Sequence, residues 1–151
     1  MTDPMASQQP TLREVRESDI EFFYEYQADL EAAAMAAFTP RTREEAEIRW
    51  RQIMANDKGT ARTIVVGDAV AGHLVSWVQE DGHREVGYWI GRQFWGMGVA
   101  TAALGEFLKI VTERPLEGWI APHNKGSARV LEKNGFTFDR DEEDFRVFRL
   151  G

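Results

Sequence analysis

Residues 92–104 read RQFWGMGVATAAL, with two glycines one residue apart where one apolar stretch gives way to another. The stretch before them, residues 85–90 (EVGYWI), has the β-branched and aromatic content of a strand. The stretch after them, residues 99–111 (VATAALGEFLKIV), puts Val99, Ala103, Phe107 and Val111 on one face at helical spacing. A strand that enters a helix through such a turn leaves several backbone N–H groups at the helix start without partners. Glycine lets the backbone approach a guest closely, and the helix dipole adds partial positive charge there. Phosphate or pyrophosphate is the natural guest. A tight turn whose N–H groups face water is the plain alternative.

The flanks supply the rest of an α/β pattern. Residues 11–19 (TLREVRESD) read as a short edge strand and a turn. Ser18 and Glu21 have capping-box spacing and predict a helix through residues 22–29, and Thr42 and Glu45 predict another, ending near Ala55. Ala46, Trp50 and Ile53 share one face of that second helix. Residues 61–66 and 70–78, joined at Gly67 and Asp68, read as a hairpin. Residues 115–122 (PLEGWIAP) read as a strand, and residues 124–134 as a helix with Asn124 as N-cap and Gly135 as its stop. Residues 136–140 and 145–150 close the chain as alternating strands. Strands interleaved with helices in this order predict a sheet of mixed direction.

Composition narrows the function classes. A length of 151 residues with 43% apolar content suits one domain with one core. The start, residues 1–10, has neither a basic region nor an apolar signal core and reads as a flexible terminus, which leaves 11–151 as the domain. No run approaches the ~18 apolar residues of a membrane span. The absence of cysteine excludes disulfides, thiolate metal sites and a cysteine nucleophile, and suits a cytoplasmic protein. His73, His83 and His123 are scattered, so no metal is expected. A net charge of −7 without a basic cluster argues against a nucleic-acid partner and mildly favours cationic ones such as amines.

Two familiar phosphate motifs fail. A P-loop needs Lys where Met97 follows Gly96, and a dinucleotide fingerprint needs Gly or Ala where Thr101 stands. Residues 93–98 (QFWGMG) instead match Q/R-x-x-G-x-G/A, the acyl-CoA pyrophosphate loop of the GNAT superfamily of N-acetyltransferases. Residues 124–136 (NKGSARVLEKNGF) resemble that family's second signature, N-x-x-[SA]-x-x-[VL]-x-x-x-x-G-F. More narrowly, residues 87–101 (GYWIGRQFWGMGVAT) look like the branch that acetylates ribosomal-protein N-termini. The resemblance spans roughly residues 12–150. It implies a single-domain α/β fold of GNAT type, a mixed central β-sheet flanked by about four helices. It also implies an enzyme that moves an acetyl group from acetyl-CoA to a primary amine, and allows a homodimer.

The resemblance assigns roles by position. Gly96, Met97, Gly98, Val99, Ala100 and Thr101 would wrap the pyrophosphate of coenzyme A. The backbone of Tyr88, Trp89 and Ile90 would pair with the pantetheine arm, and an N–H near Ile90 would hold the oxyanion. Asn124 would touch that arm, while Gln93, Lys125, Arg129 and Arg92 lie in reach of the phosphates or are simply solvated side chains. For the catalytic base the best residue is Glu85, working through water, with His83 as a substitute. The tyrosine that many members use to protonate the thiolate is Leu131 here, which leaves Ser127 or water as the acid. Met35, Phe38 and Trp50 are candidates for the acceptor pocket, and Glu31, Glu44 and Glu47 for attracting an amine. A non-catalytic acyl-CoA sensor is the competing reading.

Overall fold

The computed structural model describes residues 9–151; most of the N-terminal stretch read above as flexible lies outside them. Strands β1 (Thr11–Arg13), β2 (Thr60–Val66), β3 (Ala69–Val78), β4 (Arg84–Ile90), β5 (Leu116–Ile120), β6 (Thr137–Glu142) and β7 (Phe145–Leu150) form one sheet. Its order is β1-β2-β3-β4-β5-β7-β6. Only β4 and β5 run parallel; every other neighbour is antiparallel, so the direction is mixed as expected.

The helices are α1 (Ile20–Ala28), α2 (Leu30–Met35), α3 (Arg43–Ala55), α4 (Val99–Ile110) and α5 (Lys125–Lys133). Among the described residues there are thus five rather than four. The addition is α2, six residues capped by Asp29, whose carboxylate accepts from the Glu31 and Ala32 N–H groups. No helix of the described residues is long and apolar enough to cross a membrane.

One face of the sheet, carrying Leu74, Val86, Ile90 and Phe148, packs on α4 and α5. The spacing read for α4 holds, since Val99, Ala103, Phe107 and Val111 are all buried there. The other face meets α1 and α3 through Phe23 and Trp50. The Thr42–Glu45 capping box forms as read: Thr42 Oγ1 accepts from Glu45 N at 3.1 Å, and Glu45 Oε1 from Thr42 N at 2.9 Å.

The box expected from Ser18 and Glu21 does not form. Asp19 takes the cap position of α1 without capping it and turns inward, 1% exposed. There it accepts from the Arg13 guanidinium at 2.7 and 2.8 Å, from Thr63 Oγ1 at 2.7 Å and from Arg16 N at 2.8 Å. Burial works against its charge, but these donors outweigh it and hold the carboxyl below its ordinary range. Asp19→Asn is expected to destabilise the fold by about 2 kcal/mol, because the amide cannot accept from all four donors. Urea unfolding at neutral pH measures this, and an unchanged midpoint would refute it.

Candidate active site

The glycine turn builds as its sequence requires. Gly96 and Gly98 have φ of 77° and 74°, the left-handed region that costs any other residue strain. A Cβ built on either meets nothing within 4 Å, so both glycines border open space. Gly98 is the N-cap of α4 and offers no side-chain acceptor, which leaves the N–H groups of Val99, Ala100 and Thr101 without partners in the helix. A concave backbone with free N–H groups at a helix N-terminus fits an anionic diphosphate.

From this turn a cavity of about 600 Å³ runs toward the end of β4. Its walls are Gly96, Gly98 and Val99–Thr101 on one side and Asn124, Ser127, Arg129 and Val130 of α5 on another. Tyr88, Trp89 and Ile90 form its inner end, and Ala32 and Met35 of α2, with Ala36 just after it, its roof.

Below this inner end β4 and β5 part. Their register pairs are Arg84 with Leu116 and Glu85 with Glu117, and pairing stops there. Gly91 N donates to Ala71 O at 2.8 Å and Gln79 N to His83 O at 2.8 Å, so these residues face β3. Alternation then turns the N–H and C=O groups of Tyr88 and Ile90 into the gap toward β5. The Ile90 carbonyl is already taken, accepting from Trp95 Nε1 at 3.0 Å. Its N–H remains directed into the gap. This is the geometry that a ligand needs to add itself as a strand.

The expected acid and base fall on opposite faces of the sheet. Ser127 is on the cavity, its N–H bound by Asn124 Oδ1 at 3.1 Å, so Asn124 caps α5 as read. Ser127 Oγ lies 2.8 Å from the Tyr88 hydroxyl. Leu131 is 1% exposed and packs beneath Gly118, where a Cβ would meet it at 2.9 Å. Glu85 points to the α1–α3 face with Gly87 and Trp89, as strand alternation predicts. It stands at the foot of the gap, 7% exposed, and accepts from Gln79 Nε2 and His83 Nε2 at 2.8 Å each.

His83 also contacts the Asp81 carboxylate and stacks on Trp119 at 6.1 Å between centroids. Partial burial disfavours its charge, but Glu85 and Asp81 outweigh this and raise its titration range above the ordinary one. His83 Nε2 thus lies beside the Glu85 carboxylate at 2.8 Å. Glu117 completes the cluster, accepting from Arg140 at 3.1 and 3.3 Å and from Trp119 Nε1 at 3.0 Å.

The remaining expectations divide. Met35 lies on the cavity. Phe38 stands behind it, edge-on to Trp89 at 5.1 Å. Trp50 does not reach the cavity and is corrected: it is 3% exposed and packed between α1 and β3 against Phe23 and His73. Its place on the apolar stripe of α3 could have shown this. Gln93 donates to the Tyr26 hydroxyl at 3.3 Å instead of facing the cavity, Met97 packs on the core, and Lys125 is exposed at the start of α5. Arg92 reaches back to Asp29 at 2.9 Å and to Glu31, tying α2 to the segment before the glycine turn.

Residues 10–137 match the family model described as acetyltransferase (GNAT) domain. The chain belongs to the GNAT acetyltransferase family. No curated protein matches the sequence closely enough to count. Among solved structures, an acetyltransferase from Agrobacterium tumefaciens str. C58 superposes with a TM-score of 0.80 at 19% identity, covering 96% of this chain and 92% of its own. Spermidine N-acetyltransferase from Vibrio cholerae, in complex with CoA and spermine, gives 0.78 at 15% identity and 93% of each chain. Aminoglycoside acetyltransferase AAC(6')-Ib, in complex with coenzyme A and kanamycin, gives 0.77 at 16% identity and 93% of each chain. At these identities the likeness is one of fold.

Proposed function

We propose that this protein is an acetyl-CoA-dependent N-acetyltransferase whose acceptor is a primary amine. The carrying observation is the cavity that runs from the glycine turn to the end of β4, beyond the point where β4 stops pairing with β5. Family membership and the coenzyme A held by two of the structural neighbours support the same reading. Acetyl-CoA would supply an acetyl group already activated as a thioester.

The chain's own residues divide the work. The N–H groups from Gly96 to Thr101 bind the pyrophosphate, and Arg129 stands beside it. The backbone of Tyr88, Trp89 and Ile90 aligns the pantetheine arm, with Asn124 opposite. The Ile90 N–H stabilises the oxyanion that forms as the amine attacks. Ser127 gives its proton to the departing sulfur.

Glu85 takes the amine's proton through water. Five residue steps along β4 take it to Ile90, roughly 16 Å at the usual rise per residue, so direct contact with the reacting nitrogen is excluded. Met35 and the Phe38–Trp89 pair shape the acceptor entrance. Protein N-termini, as in the ribosomal-protein branch, and small amines are the two acceptor classes; an α-amino group, with pKa about 7.7–8.0, asks less of a distant base than a lysine does. The reading is of a cytoplasmic enzyme, with a homodimer as one possible assembly.

An amine panel, assayed by release of free thiol from acetyl-CoA, tests the proposal. Turnover with at least one amine is expected. Glu85→Gln is expected to lower kcat by about a hundredfold, with CoA affinity unchanged. Tight CoA binding without turnover on any amine would favour the acyl-CoA sensor.

A further inference from the structure

We propose that Tyr88 is a positioning residue for Ser127, its hydroxyl donating to Ser127 Oγ across 2.8 Å and so turning the serine's own hydrogen into the cavity. This rests on the acetyltransferase reading above and deepens it.

The two residues come from opposite walls. Tyr88 lies on β4, on the face that packs against α4 and α5, and Ser127 in the first turn of α5. Both line the cavity. The Asn124 cap fixes the serine backbone, which leaves its hydroxyl hydrogen as the free variable. Tyr88 Oη is also 3.3 Å from Ser127 O, a poorer contact than the one to Oγ.

A phenol is a better donor than an aliphatic hydroxyl, so the shorter contact carries the tyrosine hydrogen to Ser127 Oγ. The opposite polarity would aim the serine hydrogen away from the cavity and disarm it. Burial pushes the Tyr88 hydroxyl up to about 12 despite the opposing pull of Ser127, so it keeps its hydrogen near neutrality. Leu131, buried beneath Gly118, offers no hydroxyl from its own place on α5.

In the transfer, the amine nitrogen bonds to the acetyl carbon and loses a proton that reaches Glu85 along a chain of water. The carbon–sulfur bond breaks, and the sulfur takes the hydrogen of Ser127 Oγ. Ser127 is reprotonated from Tyr88 along the same hydrogen bond, and Tyr88 recovers a proton from solvent. The net change moves one proton from nitrogen to sulfur and consumes nothing else.

The test follows the thiol of bound CoA, whose thiolate absorbs in the ultraviolet, as pH is raised. A donor aimed at the sulfur favours the thiolate and lowers the thiol's titration range. Wild type, Tyr88→Phe, Ser127→Ala and the double variant are compared, with melting temperature as a check on folding.

Tyr88→Phe is expected to raise the bound thiol's pKa by about half to one unit and lower kcat about tenfold, with KM little changed. The double variant should match Ser127→Ala alone, since both changes remove one device. A wild-type thiol titration in Tyr88→Phe, with a shifted one in Ser127→Ala, would overturn the proposal and leave the serine its role. No shift in Ser127→Ala would overturn both. Failure of CoA to bind wild type would overturn the acetyltransferase reading and this inference together.

Discussion

Gly96→Asp/Gly98→Asp is expected to weaken the binding of CoA and acetyl-CoA by about a thousandfold, some 4 kcal/mol, as read by calorimetric titration. Both glycines sit at positive φ, and no atom lies within 4 Å of the Cβ each lacks. Two carboxylates placed there enter the space into which the α4 N-terminus directs its free N–H groups. They would compete for those donors and repel a diphosphate. Asp tolerates the left-handed region better than most residues, so the fold should survive with a cost of about 1–2 kcal/mol per site or less. Gly96→Ala/Gly98→Ala separates charge from bulk, since it adds the Cβ atoms alone and should lose much less affinity. Wild-type affinity in the folded Asp variant would return the glycines to the role of a plain turn.

Local signals in the sequence survived into the structure except where a distant partner competed with them. The Thr42–Glu45 box and the Asn124 cap close within four residues and formed as read. The glycine turn was legible because two positive-φ residues between a strand and a helix have few uses. The Ser18–Glu21 box had the same local spacing but lost to Asp19, whose partners include Thr63, 44 residues away. Helix α2 was hidden because it is six residues long and is held by an Asp29 cap and by the contact of Asp29 with Arg92, not by an amphipathic stripe.

The candidate site divided along the same line. Backbone roles follow from strand order, so the gap between β4 and β5 could be anticipated once the family was suggested. Side-chain partnerships across the fold could not. The Tyr88–Ser127 contact joins residues 39 apart, and the Glu85–His83 pair gains its neighbour Glu117 only because β4 and β5 lie in parallel register. Alternation along β4 does carry one usable signal. It assigns Glu85 and Tyr88 to opposite faces, so the proposed base stands on the other side of the sheet from the proposed acid.

Acid is expected to destabilise this fold through His73, a group with no role in the proposed reaction. Its ring packs between Phe23 and Trp50 at 4.8 and 4.6 Å, 6% exposed, and neither nitrogen has a hydrogen-bond partner among the described residues. Burial pushes its pKa down to about 3, from about 6.5 when solvated. Above the unfolded value both states are neutral and the group contributes nothing to the pH dependence. As pH falls from about 6.5 toward about 3 the unfolded chain binds a proton that the folded chain refuses, so stability declines across that window and levels off below it. Near pH 4 the loss amounts to about 3 kcal/mol, a large share of the stability of a domain this size. His73→Leu removes the titration and both unpartnered nitrogens while forfeiting the edge-on aromatic contacts, so the two proteins should differ little at neutral pH. Urea unfolding of each at neutral and at acid pH isolates the effect, because carboxylates such as Asp19 destabilise both equally. The variant should then be the more stable by about 3 kcal/mol near pH 4. Parallel losses in the two proteins would mean that His73 finds a partner or water on protonation, and that the α1–α3 face opens in acid.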